Sequence, residues 1–442
     1  MIREQAQQNK NSAGKSAPER DVLTPLGSGA HISALDGVRG LAFCLVYFQH
    51  FAGGEHIHIR ALEAVRGVGW TGVDLFFCLS GFLITGILYD TRHDPGYFRN
   101  FYARRALRIF PLYYLCLGLL ALATPLLHLE WHPFHLCYFL YCSNFLNAFD
   151  PAMRTFGFKP WIDIGHFWSL AVEEQFYLIW PALVLFCSSR RAIIRLCVLL
   201  IVASIALRCV CIGMYLHVAV NPGAAAGHWY GRMLASMPAS FFYRTFLYRI
   251  TLFRFDSLAM GGIFAMWMRG GEQLKWFKKA HFAAAGFCCL STLVLVKSFH
   301  LETPLTAAFG YTVLAMFYGS LIAAAINVKS VQLMFQTSWL RTIGKYSYGM
   351  YIIHQIARPA LPFVIARLAP TVGSVAVAAV ICSAGWFFIV LALAKLSFVL
   401  FESKFLRLKT RFAYAKPAGV IRPQQRPNGA AAVEPSLSIG IA

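Results

Sequence analysis

Runs of about 18 or more apolar residues recur along this chain, and each is long enough to cross a hydrocarbon layer of roughly 30 Å as a helix. Within a bilayer the backbone polar groups of a helix must be satisfied inside the segment itself, so such runs restrict the fold to a helical bundle. They fall at about 34–52, 70–89, 109–127, 134–148, 168–187, 193–216, 249–268, 281–298, 304–326, 346–368 and 375–401. Only 13% of the residues are charged, against roughly one quarter in an ordinary soluble domain. The expected fold is an all-α integral membrane protein.

The placement of basic residues sets the expected orientation. Arg3, Lys10, Lys15 and Arg20 precede the first run, and Arg92, Arg99, Arg104, Arg105 and Arg108 precede or open the third. Lys404, Arg407, Lys409 and Arg411 follow the last, and the positive-inside rule puts all three groups in the cytoplasm. Two cytoplasmic ends require an even number of crossings, and counting back from the C-terminus also places Arg190, Arg191, Lys278, Lys279, Arg341 and Lys345 inside. The segment 134–148 is short and interrupted by Ser143, Asn144 and Asn147, so it is expected to be re-entrant or to lie on the outer face.

The result is a polytopic bundle of about ten transmembrane helices in three parts. A polar cytoplasmic N-tail covers 1–31, a membrane domain 32–402, and a disordered cytoplasmic C-tail, rich in Pro, Gln, Ala and Gly, 403–442. No removable signal peptide is apparent, so the first helix itself targets the chain. Two long outer segments, 128–167 and 217–247, are candidates for binding, the second through His228, Trp229, Tyr230 and Arg232.

The formal net charge of +21 would fit nucleic acid in a soluble protein. Here cytoplasmic anchoring accounts for it, and no nucleic-acid partner is expected. Most of the twelve cysteines lie inside apolar stretches, as Cys44, Cys78, Cys116 and Cys187 do, without metal-ligand spacing. They read as small core residues, and no metal is expected.

Against this apolar background the ionisable residues stand out, because a charge at a helix centre costs about 2.5–3.5 kcal/mol on insertion scales. Arg39 and His50 are eleven residues apart in "SALDGVRGLAFCLVYFQHF". Eleven helical steps turn through about 1100°, so both side chains leave one face, about 16 Å apart along the axis. Either residue alone also reads as structural, Arg39 as a snorkelling side chain and His50 as a packed histidine.

On this topology Asp74 and Glu173 start inward-running helices at the depth of His50, where a carboxylate would fix the imidazole tautomer and leave the other nitrogen to act as a base. In "HFWSLAVEEQFYLIWPALV", Ser169 and Glu173 share a face four residues apart, whereas Glu174 points about 100° away, so at most one of the two glutamates is expected to face the site. Trp168, Ser169 and Gln175 of this segment are candidate substrate contacts.

Toward the inner side, Arg105 and Arg108 share a face in "YARRALRIFPLYY", and their guanidinium forks suit phosphate. With Arg39 they would hold a polyphosphate head group while a long arm reached toward His50. Arg249, Arg254 and Asp256 form a plausible local ion-pair group, and His354 in "KYSYGMYIIHQ" reads equally as a polar site or as a packed histidine.

Six motifs in order, "LDGVRGLAFCLVYFQHF", "GVDLFFCLSGFLIT", "RRALRIFPLYY", "WSLAVEEQFYLIWP", "RFDSLAMGG" and "YSYGMYIIH", make residues 31–402 resemble the bacterial acyltransferase 3 family, whose members O-acylate surface glycans and related acceptors. The resemblance implies an acyl-coenzyme A donor, often acetyl-coenzyme A, bound from the cytoplasm by a protein of the inner membrane. It also implies roles for Arg39, His50, Arg105, Arg108 and Glu173, and a glycan or glycoside acceptor. Glu402 is followed by Ser403 and Lys404 rather than by the family's basic residue and proline, which departs from the pattern.

Two routes remain open for His50. It would deprotonate an acceptor hydroxyl for direct attack on the thioester, or carry the acyl group itself. The rival from another class is a proton-coupled transporter or flippase of a glycan or glycolipid, since buried His, Asp and Glu also suit proton movement.

Overall fold

The structure is a computed structural model that describes residues 32–51, 66–145, 157–158, 162–225, 227–270, 287, 291, 303–356 and 358–414. The expected N-tail, the segment 281–298 apart from Phe287 and Ser291, Lys278 and Lys279 therefore lie outside the described residues.

The described chain is helical apart from a ribbon of two two-residue strands, Gly157–Phe158 and Ile162–Asp163, paired antiparallel with Gly157 opposite Asp163. The principal helices are α1 (Ser33–Phe51), α2 (Thr71–Thr91), α3 (Tyr97–Leu122), α4 (Trp168–Phe186), α5 (Arg190–Val220), α6 (Phe255–Met268), α7 (Tyr311–Asn327), α8 (Ser338–Ile353), α9 (Leu361–Val372) and α10 (Val375–Ser397). Among the described residues six helical stretches are long and apolar enough to cross a membrane: Arg66–Thr91, Tyr97–Leu122, Gly165–Phe186, Arg190–Val220, Thr306–Asn327 and Val375–Phe412. α6 is a shorter apolar helix, with Asp256 and Ser257 in its first turn. Leu199, Val202 and Val210 of α5, and Phe388, Ile389 and Leu396 of α10, are exposed. Apolar side chains turned outward on long helices are what a hydrocarbon surround requires, and the molecule is an all-α membrane protein.

Small residues set the closest helix contacts. A Cβ at Gly40 would strike the Leu340 carbonyl and one at Gly344 the Asp36 carbonyl, so α1 and α8 meet backbone to backbone, while one at Gly37 would strike the Phe335 carbonyl at the end of the short helix Lys329–Phe335. Gly81 against Leu258 and Gly261 against Cys78 do the same for α2 and α6. Where lipid tails remove much of the hydrophobic drive for helix association, such close approach is a main source of packing energy.

Two expected elements differ. The run 346–368 is not one helix: α8 ends at Ile353, and α9 restarts at Leu361 after a turn that holds Arg358 and Pro359. Proline lacks the N–H that would continue the ladder. Gln355 in this break donates to Asp163 Oδ2 at 2.6 Å, and the Asp163 amide donates to the Ile356 carbonyl at 3.0 Å, so the ribbon clips the break. The tail expected from 403 is also helical at first, through Ser403–Arg407 and Leu408–Phe412, because Phe405 and Leu406 supply an apolar side and both turns pack on α3. The segment 134–148 forms only the short turns Pro133–His135 and Leu136–Phe139 before Tyr141, whose φ is 52°.

Candidate active site

Five helices enclose a cleft with an empty volume of ≈ 860 Å³ that includes its open side, α2 lining it through Phe76, Phe77 and Ser80 among others. α1 contributes Arg39, α3 Arg105 and Arg108, α4 Ser169, Glu173, Glu174 and Tyr177, and α8 Ser347, Tyr348 and Tyr351. α1 and α8 bring their polar faces to the same cleft because the glycine contacts press their backbones together.

At its basic end, Arg39 Nη1 donates to Asp36 Oδ1 at 3.0 Å, and the Arg105 guanidinium lies 5.4 Å from the centre of the Tyr177 ring. Tyr177 and Ser80 share a hydroxyl hydrogen bond. The ion pairs among the described residues are Arg39–Asp36, Arg208–Asp256, Arg254–Asp74 and Arg269–Asp90, so neither Arg105 nor Arg108 is neutralised by a direct partner. Three guanidinium groups thus face one cleft, with Asp36 paired to Arg39 and the carboxyl groups of Glu173 and Glu174 on the same lining.

At the other end, Ser169 Oγ and the Tyr351 hydroxyl lie 2.5 Å apart, and the Tyr351 hydroxyl donates to the His166 carbonyl at 3.3 Å. Beyond Tyr351 stand three histidines. The rings of His50 and His354 are 5.4 Å apart and those of His354 and His166 4.9 Å, while Tyr351 lies 5.3 Å from His354. His354 Nδ1 is 2.6 Å from the Tyr351 carbonyl, and His166 Nε2 is 3.1 Å from the Ile352 carbonyl. A carbonyl only accepts, so each of these nitrogens carries the proton, and the other nitrogen of each ring is a bare acceptor. Both remaining nitrogens, His354 Nε2 and His166 Nδ1, are buried without a hydrogen-bond partner. One histidine is half-buried, His50, and two are buried. No group of three or more His, Cys, Asp or Glu among the described residues is arranged to hold a metal.

The sequence-derived candidates divide into those the structure assembles and those it does not. Arg39, Arg105, Arg108, Ser169 and Glu173 all line the cleft. Asp74 does not meet His50: Arg254 and Ser257 take one of its carboxylate oxygens, in a fully buried group flanked by Tyr248 and Tyr311. Glu173 likewise faces Ser80 and the arginines rather than His50, whose charged neighbours are His354, Arg358 and Arg249.

Both Glu173 and Glu174 line the cleft, against the expectation that only one would, because the cleft wraps far enough around α4 to span the 100° between them. Gln175 is spent elsewhere. It donates to the Tyr141 carbonyl at 2.7 Å and to Asn144 Oδ1 at 2.8 Å, accepts from Thr251, and so ties the outer turns to α4. Trp168 packs edge-on against Phe77 and beneath Arg249 and is buried. The segment 217–247 packs Leu234, Phe241 and Phe246 into a small core with Ile212, Phe253 and Ala307, and Trp229 is exposed.

His166 was not singled out from the sequence. Its signal was its place two residues before Trp168, in the turn that starts α4. His354 was ambiguous because its importance lies in ending a helix that looked continuous.

A family model described as Acyltransferase domain matches residues 32–395. The chain is 29% identical over 341 residues to the putative peptidoglycan O-acetyltransferase YrhL of Bacillus subtilis, a match covering 73% of this chain and 48% of that protein. It is 32% identical over 164 residues to the peptidoglycan O-acetyltransferase OatA of Listeria monocytogenes, covering 36% of this chain and 25% of the relative. A putative O-acetyltransferase of Staphylococcus aureus is 31% identical over 165 residues, covering 35% and 24% respectively. The chain thus spans between about a quarter and about half of the length of these curated relatives. No solved structure matches it significantly.

Proposed function

The chain belongs to the acyltransferase domain family, and on that premise we propose that it is a bacterial membrane O-acyltransferase that moves an acetyl group from acetyl-coenzyme A to a sugar hydroxyl of peptidoglycan or another envelope glycan. The observation that carries this reading is the cleft itself. Unneutralised Arg105 and Arg108, with Arg39, stand at one end, and imidazoles with bare acceptor nitrogens lie just beyond Tyr351 at the other.

In this reading the arginines hold the diphosphate of the donor, and the pantetheine arm runs past Glu173 and Ser169 toward His50. His50 takes the proton of the acceptor hydroxyl as its oxygen bonds to the thioester carbon. The C–S bond then breaks, and the proton passes from the imidazolium to the thiolate, which leaves as free coenzyme A. Transfer through an acyl-His50 intermediate has the same overall balance. His354 and His166 position His50 and present acceptor nitrogens to its protonated form. Asp74 braces the bundle through Arg254. Ten crossings of the inner membrane, with both tails cytoplasmic, put the arginines inside and the histidines toward the outer face.

The test is thiol release from acetyl-coenzyme A by the purified protein in nanodiscs, with and without envelope glycan. Release that rises with glycan and disappears in His50→Ala is expected. Intact protein that releases no thiol with acetyl, propionyl or longer donors would instead favour transport of a glycan.

A further inference from the structure

A second cleft, with an empty volume of ≈ 500 Å³, adjoins the first and shares Arg108 and Tyr348 with it. Its lining adds Lys345 and Tyr346 from α8, Phe398 and Glu402 from the turn after α10, and Lys409 from the helical turns that follow.

The charge balance of this cleft calls for an anion. Lys409 is only 6% exposed, a rare state for a lysine without a partner, and the ion pairs among the described residues include neither it nor Lys345 nor Arg108. Arg108, Arg105, Arg104 and Arg39, all of its own sign, act on Lys409. Glu402 is the carboxylate of the cleft, and it accepts a hydrogen bond from Ser397 at 3.0 Å. The Lys345 ammonium lies over the rings of Tyr346 and Phe398, at 5.4 and 5.3 Å from their centres, so aromatic faces stand beside the cations. A wall of cations next to aromatic faces and one acceptor suits a phosphorylated nucleoside.

We propose that this second cleft takes the 3′-phosphoadenosine end of the donor, with the 3′-phosphate against Lys409, Lys345 and Arg108. The inference rests on the acyl-coenzyme A reading above. Arg108, on the wall between the clefts, then serves the diphosphate on one side and the 3′-phosphate on the other. The helical turns 403–412 are part of the donor site rather than a tail.

The experiment compares acetyl-coenzyme A with acetyl-3′-dephospho-coenzyme A in steady-state thiol release. For the wild type, KM for the dephospho donor is expected to be about tenfold or more higher, as loss of a charge-assisted contact predicts. In Lys409→Met and Lys345→Met that ratio falls toward one, through a raised KM for acetyl-coenzyme A, and Lys409→Arg restores it. Lys345 is exposed, so its variant serves should Lys409→Met fail to fold. Equal KM values for the two donors in the wild type, or variants that raise both together, overturn the subsite while leaving the donor reading intact. A wild type that turns over neither donor overturns both.

Discussion

His354 lies between His50 and His166, with its Nδ1 held by the Tyr351 carbonyl at 2.6 Å and its ring 5.4 Å from that of His50. The proposed base therefore has an imidazole beside it of fixed tautomer, not the carboxylate of Asp74 or Glu173. His354→Phe keeps an aromatic ring against Phe43, which it already meets edge-on at 5.8 Å, but deletes both nitrogens. We expect kcat for acetyl transfer to fall about 10²-fold with little change in KM for the donor, and His50→Ala to fall to background. Equal losses in kcat and in thermal stability for His354→Phe would reduce the residue to a packing role.

Arg105→Met and Arg108→Met should each raise KM for acetyl-coenzyme A by about tenfold or more, because each removes a charge-assisted contact to phosphate. Lysine at either position should recover only part of the affinity, since an ammonium cannot reproduce the guanidinium fork. Donor titrations at two salt concentrations check this, and an unchanged KM in both variants would remove the arginines from the donor site.

Asp74→Ala should destabilise the protein by about 3–5 kcal/mol, because it strands Arg254 without its counter-ion at zero exposure. Thermal unfolding in detergent measures this. In the folded fraction the pH profile of thiol release should keep the wild-type midpoints, whereas a shifted acid limb would return Asp74 to the neighbourhood of His50.

Gly344→Val should impair folding by overpacking, at a cost of about 1–3 kcal/mol or more, since any β-carbon there meets the Asp36 backbone. Gly385→Ala, where an added carbon meets nothing within 4 Å, is the control and should unfold with the wild type. Size-exclusion profiles and melting temperatures of the pair distinguish the contact from a general intolerance to change in the helices.

Helix positions and the basic cleft were legible in the sequence because both depend on local properties. Apolar length finds α2 to α5, and spacing on one face puts Arg105 beside Arg108 and Ser169 beside Glu173. What could not be read was which helix faces which. The topology puts Asp74 and His50 at similar expected depths, yet Arg254, from a distant segment, claims the carboxylate. Gln175 looked like a buried polar residue awaiting substrate until Tyr141, Asn144 and Thr251 proved to be its partners. The break after Ile353 was hidden because α9 is itself apolar, so hydropathy runs smoothly across a change of direction.

Arg39 and His50 ride on one unbroken helix, which makes α1 a gauge. The interval between the phosphate anchor and the imidazole is a fixed number of helical steps, not a loop that can stretch, and at about 1.5 Å and 100° per residue it tolerates no insertion or deletion. One residue added between them would both lengthen the interval and turn His50 away from His354. On the proposed donor reading, a donor whose arm is cut short would bind its anchor and fail to reach, so the chain would measure its donor by length before any chemistry begins.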